Sequence, residues 1–392
     1  MIGAGVFAAF GPAARAAGNG LLLGLGLAAV VAYCNATSSA QLAALYPESG
    51  GAYVYGRKRL GAFWGFLAGW AFVIGKLASC AAMAMTFGSY AAPEFARPLA
   101  VSAVVVLTAV NYLGVQKTAM VTRAIVALVL AALTTVVVAI WMGGSTDVGH
   151  LWPLREVTPL GVLQSAGFLF FAFAGFARLA TLGEEVVDPK RVIPRAIAIA
   201  LAITLTVYTI VAVSVLAGAG PDEIATSSAP LATAVNQGSL AFLSPAVRFG
   251  ATIASLGVLL SLILGVSRTL FAMSGNRDMP VFLSTVHPRY RVPHRAEVLV
   301  GIVVVVLTVV ADIRTAIGFS SFAVLVYYSI ANAAAWTLPS TERRSHRPIA
   351  LVGMLGCVSL AVALPTVAVL GGAALVLTGA LVYAMAHRGS SP

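Results

Sequence analysis

The sequence predicts an all-α membrane protein, and three observations carry that reading. The chain of 392 residues is 60% hydrophobic and only 9% charged, with a mean hydropathy of +0.96, outside the range of soluble domains. Its apolar residues fall in successive runs of about 20 residues, the length that crosses a bilayer as a helix. Its basic residues gather in alternate connections between those runs.

Twelve transmembrane helices are expected, at 1–14, 20–45, 60–90, 98–115, 119–142, 160–185, 194–219, 243–274, 296–311, 315–338, 348–364 and 366–386. The first is short. Turn-rich or charged stretches bound the others: Pro47 to Arg59 before the third, Gly143 to Pro159 before the sixth, and Glu184 to Arg195 before the seventh. Gly220 to Gln237 precedes the eighth, Gly275 to Arg295 the ninth and Pro339 to Pro348 the eleventh. None is long enough for a separate soluble domain, so one transmembrane domain spans 1–392. Of the 24 Lys and Arg, Arg15, Arg97, Arg155, Arg248 and Arg314 fall on one side, Lys76 and Arg178 fall inside helices, and the remaining seventeen lie on the other side. That asymmetry places the even-numbered helix ends and the C-terminus in the cytoplasm of a multi-pass cell-membrane protein. It also accounts for the net charge of +11 without nucleic acid.

Other chemistry finds little support. Cys34, Cys80 and Cys357 sit in apolar runs with no metal spacing, as small buried hydrophobes do. The five histidines fall in loops or at helix ends without catalytic or metal spacing, so neither an enzyme nor a bound metal or cofactor is expected. No charged leader with a cleavage site opens the chain, and no signal peptide is expected.

Within hydrocarbon a broken helix survives only where it lines a cavity or ligand. Two places invite a break: Gly3-Ala4-Gly5 in the first segment, and Ala174-Gly175 within "FLFFAFAGFARLATLGEE" (168–185) in the sixth. A lone Gly-x-Gly also serves ordinary helix packing. The pairing is more informative. Breaks five helices apart predict a 5+5 inverted repeat, with 1–142 as the first half, 160–338 as the second and 348–386 as two additional helices. Free N–H groups at a half-helix N-terminus suit a carboxylate, and carbonyls freed by unwinding suit an ammonium. An α-amino acid offers both.

Four motifs then carry a family resemblance. Ile2-Gly3-Ala4-Gly5-Val6-Phe7 resembles the first-helix signature of the amino acid-polyamine-organocation (APC) superfamily of transporters. "YPESGGAYVYGRKRLG" (46–61), "GEEVVDPKRVIPRAI" (183–197) and "GVSRTLFAMSGNRDMP" (265–280) resemble its segment between helices 2 and 3, the stretch after helix 6 and the end of helix 8. The motifs are in order over residues 1 to about 340, and the chain is similar in particular to uncharacterised actinobacterial amino-acid permeases. The resemblance implies that Ile2, Gly3, Ala4, Gly5 and Val6 hold the substrate carboxylate through backbone amides. It implies that Phe171, Phe173 and Ala174, beside Gly175, offer carbonyls to the amino group, with Phe171 or Phe173 as an aromatic gate; core packing is the alternative for those rings.

Departures from the family pattern shape the coupling. The lysine that proton-coupled relatives carry in helix 5 aligns with Val129, and the acidic residue after the helix 6 break with Ala177-Arg178. Of the helix 8 hydroxyls that sodium-coupled relatives use, only Ser255 and Ser261 stand near the right depth. Lys76, mid-way along helix 3, is costly there and a functional candidate by default. It is read as the proton-coupling group replacing the helix 5 lysine, or as a structural lysine on exposed carbonyls. Arg178 is read as bridging to Glu184 and Glu185, which with Asp188 and Arg191 form the cytoplasmic gate or loop.

The expectation is therefore a secondary active transporter of amino acids, neutral ones because Ala172, Ala174 and Ala177 leave room, coupled to protons in preference to sodium. A sodium-independent exchanger or exporter is the alternative within transport, and a non-transporting amino-acid sensor on the same fold is the alternative outside it. Partners are the amino acid and the bilayer; oligomeric state leaves no mark in the sequence. Gly3 and Gly5 would lie mid-helix in this family, so an N-terminally truncated first helix is also expected.

Overall fold

The computed structural model describes residues 2–48, 50–114, 119–154, 157–176 and 188–387. Those residues form helices and connections and no strand. The first pair, α1 (Gly5–Ala17) and α2 (Leu21–Leu45), is separated at Gly18, whose φ of +55° is a left-handed turn that stops the first helix. There follow α3 (Ala52–Arg59), α4 (Ala62–Ala91), α5 (Ala96–Tyr112), α6 (Ala119–Met142) and α7 (Pro159–Phe173). Next come α8 (Pro189–Thr226, kinked at Gly220), α9 (Pro230–Asn236), α10 (Ser244–Gly275) and α11 (His294–Val310). Last are α12 (Ile313–Trp336), α13 (Arg347–Ala363) and α14 (Thr366–His387).

Among the described residues, eight stretches are long and apolar enough to cross a membrane, one of them, Gly5–Leu45, covering both α1 and α2. The predicted apolar segments coincide with these helices to within a few residues, apart from the seventh, predicted at 194–219 and found as α8 from Pro189 to Thr226, and three further differences. The first helix begins at Gly5 and runs to Ala17. The sixth ends at Phe173 with a 3-10 turn over Ala174–Phe176, and the rest of that predicted segment lies outside the described residues. The stretches read as loops before the third and eighth segments hold the short helices α3 and α9, of 8 and 7 residues. Helices that short draw their stability from packing, which apolar run length does not register.

Two packing groups organise the interior. In one, α1 and α2 pack against α7 and α8; in the other, α4 packs against α5, α10 and α11. Between them, α6 lies against both α8 and α10, and α12 lies against α4 and α13. Buried polar bonds fix the crossings. Asn332 on α12 donates to Asn35 Oδ1 on α2 at 2.6 Å, and the Cys357 thiol on α13 donates to the same oxygen at 3.3 Å. Tyr90 on α4 donates to the Phe7 carbonyl of α1 at 3.0 Å and accepts the Leu231 amide of α9 at 3.3 Å. In a dry interior an unpaired polar group costs more than its bond returns, so each of these atoms specifies its neighbour.

Candidate functional site

A cavity of about 600 Å³ lies between the two packing groups. Its volume falls within the range of small-molecule sites. The first break opens onto it through Ile2, Gly3, Ala4 and Gly5, and the second through Phe171, Ala172 and Gly175. Helix α1 starts at Gly5, and while the Phe7 N–H already donates to the Ala4 carbonyl at 3.1 Å, the amides before it precede the helix's own bonding pattern, so its positive dipole end faces this space. Helix α7 runs the other way and brings its C-terminal end to the same place. The two ends are in van der Waals contact: a Cβ added to Gly5 would stand 2.8 Å from Ala172 Cα, so only glycine lets α1 approach α7 this closely.

The remaining walls follow helical periodicity. Helix α6 contributes Thr122, Ile125, Val126 and Val129, spaced i, i+3, i+4 and i+7 on one face. Helix α8 supplies Ala196 and Ala200, and α10 supplies Ala254, Gly257, Val258 and Ser261. The wall from α4 carries Lys76, Ser79 and Met83. Gly75 lets α12 close on α4, where an added Cβ would be 2.6 Å from Ala323 Cβ, and Ser79 shares a 2.6 Å hydrogen bond with Ser320 of α12. That clamp holds the turn carrying Lys76 against the cavity.

Lys76 is only 8% exposed, with its ammonium 5.9 Å from the centre of the Phe72 ring, one turn back. Among the described residues it has no ion-pair partner and is the one charged side chain on the cavity wall. Val129, aligned with the helix 5 lysine of relatives, lines the same cavity. The structure thus brings together Ile2, Gly3, Ala4, Gly5, Phe171, Gly175 and Lys76 from the sequence-based set.

Other candidates are placed elsewhere. Val6 and Ala174 are buried beside the breaks but do not line the space. Phe173 is fully buried, its ring 5.3 Å from that of Tyr208; two residues along a helix turn a side chain to the far face, so Phe171 and Phe173 do not share the cavity. Ser255 is also fully buried, its hydroxyl donating to the Ala251 carbonyl at 2.8 Å; Ser261 donates likewise to the Gly257 carbonyl at 2.9 Å but lines the cavity. Arg191 forms an exposed pair with Asp188 at 3.9 Å at the start of α8. Arg178, Glu184 and Glu185 lie outside the described residues. Ser79 and Thr122 also line the cavity without a mark of their own in the sequence, except that Ser79 stands one turn from Lys76.

A second polar cluster joins two of the quoted motifs, 46–61 and 265–280. Asp278, with a fully buried side chain, accepts from the Tyr53 hydroxyl at 2.6 Å and from the Arg57 guanidinium at 2.7 Å, while Asn276 donates to the Tyr53 oxygen at 2.9 Å. Burial and the Asp278 carboxylate push the Tyr53 phenol up to about 12, so it stays a donor at neutral pH.

Comparison with known proteins matches residues 1–386 to a family model described as amino acid permease. An uncharacterised transporter of Mycobacterium tuberculosis is 60% identical over 98% of this chain and 87% of its own length. A branched-chain amino acid permease of Bacillus subtilis is 25% identical, covering 77% of this chain and 70% of its own length. The human cationic amino acid transporter 4 is 27% identical over 84% of this chain and 56% of its own length.

Proposed function

The chain belongs to the amino acid permease family and is a multi-pass membrane transporter, not an enzyme; from that premise we propose that it moves amino acids across the cell membrane by alternating access. The observation that carries this reading is the convergence of the α1 N-terminus, the α7 C-terminus and Lys76 on one cavity. First-turn amides of α1 would take the α-carboxylate, and end carbonyls of α7 the ammonium, each dipole end meeting the charge it favours. Phe171 would cover the bound zwitterion.

In this reading the chain has twelve spans, with 1–142 and 160–338 as repeats of opposite insertion, 348–386 as two further helices, and a cytoplasmic C-terminus. The separation of α1, α2, α7 and α8 from α4, α5, α10 and α11 supports it, because one group can rock against the other around a site between them. Lys76 would carry the coupling proton, standing on the same wall as Val129. A proton there and an anionic group on the ligand would favour each other's binding.

Reconstituted protein should take up labelled amino acids into proteoliposomes, faster under an imposed pH gradient than under a sodium gradient. Lys76→Met and Lys76→Ala should flatten the pH dependence. Unchanged pH dependence in both would remove Lys76 from coupling, and binding without flux would turn the reading to a sensor.

A further inference from the structure

We infer that the substrate is an amino acid with an acidic side chain, and that Lys76 is the residue that selects it by pairing with the side-chain carboxylate. The inference rests on the amino-acid transport reading above and names the substrate class within it.

A zwitterion at the two breaks is self-contained, its carboxylate opposite the α1 amides and its ammonium opposite the α7 carbonyls. Lys76 is left over. Its neighbours are a Phe72 ring at 5.9 Å and the buried Cys80 thiol one turn on, while the Ser79 hydroxyl on the same wall is already engaged with Ser320 and the Gly75 carbonyl. A ring face or a hydroxyl attracts an ammonium without neutralising it. Among the described residues no aspartate or glutamate lines the cavity. Two acids buried elsewhere are otherwise placed, Asp278 against Arg57 and Glu297 on α11.

Buried cations are retained in a membrane protein where they pair or serve a ligand. Here the ligand supplies the missing charge. A second carboxylate, two or three bonds from Cα, completes an electroneutral complex in a cavity whose other walls are apolar or hydroxylated, and about 600 Å³ leaves ample room. A basic side chain would set two cations together in low dielectric. A neutral one would leave Lys76 uncompensated. This replaces the expectation of a neutral substrate, which rested on the small residues near the second break; small walls set size, and the charged group sets sign.

The test compares acids with their near-isosteric amides. Purified protein is titrated with L-glutamate, L-aspartate, L-glutamine, L-asparagine, L-leucine and L-arginine, by thermal shift and by displacement of whichever labelled amino acid binds. Wild type should prefer each acid over its amide by about thirtyfold or more, the scale of a desolvated charge pair. Lys76→Met should lose that preference, binding each acid and its amide to within about threefold of one another, and Lys76→Arg should restore part of it. Binding of glutamine, leucine or arginine with no preference for the acids overturns the inference and leaves amino-acid transport standing. Equal loss of acids and amides in a folded Lys76→Met also overturns it, because Lys76 would then serve the α-carboxylate. Failure of the whole panel to bind defeats the transport reading itself. The wild-type comparison decides the question even if a Lys76 variant does not fold.

Discussion

The cluster around Asp278 allows a prediction in which magnitudes separate two bonds to one oxygen. The Tyr53 hydroxyl at 2.6 Å is almost fully buried, and its bond is to a charged acceptor, a class worth about 1.5–3 kcal/mol. The Arg57 contact at 2.7 Å has the full formal charge on both sides, yet the arginine side chain is 39% exposed, and a pair open to water is worth about 1 kcal/mol or less. Asp278→Ala should therefore cost about 3 kcal/mol in total, near the lower end for breaking a buried charged contact. In a double-mutant cycle, the coupling of Tyr53→Phe with Asp278→Ala should exceed that of Arg57→Gln with Asp278→Ala by about twofold. Reversible unfolding in mixed micelles titrated with dodecyl sulfate would supply the free energies. If the arginine coupling equals or exceeds the tyrosine coupling, the assumption that solvent exposure discounts Arg57 is wrong.

Two further outcomes follow from single contacts. Gly5→Ala places a methyl 2.8 Å from Ala172 Cα and should cost about 1–3 kcal/mol by pushing α1 off α7, with a matching loss of ligand affinity; Gly26→Ala on α2, where nothing lies within 4 Å, should cost nothing. A thermal melt of both variants with and without ligand checks this. Tyr53 lies outside the candidate spans; its phenol ionises near 10 when unfolded and about 12 when folded, so its contribution is intact below pH 10 and is lost as pH rises toward 12. Stability measured from pH 9 to about 12 should fall more steeply in wild type than in Tyr53→Phe, and parallel curves would refute the shift.

Much of the fold was legible because burial in lipid writes itself in run length. Segment ends predicted from Gly, Pro and charge lie within a few residues of α2, α4, α10 and α14, since a chain leaving the bilayer must hydrate its backbone. What escaped was structure that run length does not encode. Helix α3 carries Arg57, Lys58 and Arg59 in its last turn and reads as a polar loop, yet Tyr53 and Tyr55 are buried, and Tyr327 accepts the Ala52 amide at 2.9 Å. Its helicity belongs to its contacts.

The site divides along the same line. Glycines mark a break because the backbone needs them there, so Gly3, Gly5 and Gly175 were visible as letters, and Lys76 stood out because charge at that depth is costly. Angles around a helix decided the rest. Ser255 and Ser261 are six residues apart, which turns them about 120° from one another, so although each hydroxyl donates to its own helix, at the Ala251 and Gly257 carbonyls, only Ser261 stands on the cavity wall. The α6 stripe from Thr122 to Val129 and the alanines of α8 are ordinary membrane-helix residues, and nothing in their chemistry sets them apart. They become a site only through what stands opposite. Three small or apolar faces enclose a Lys76 ammonium that has no ion-pair partner among the described residues, and in the proposed reading the ligand brings that partner.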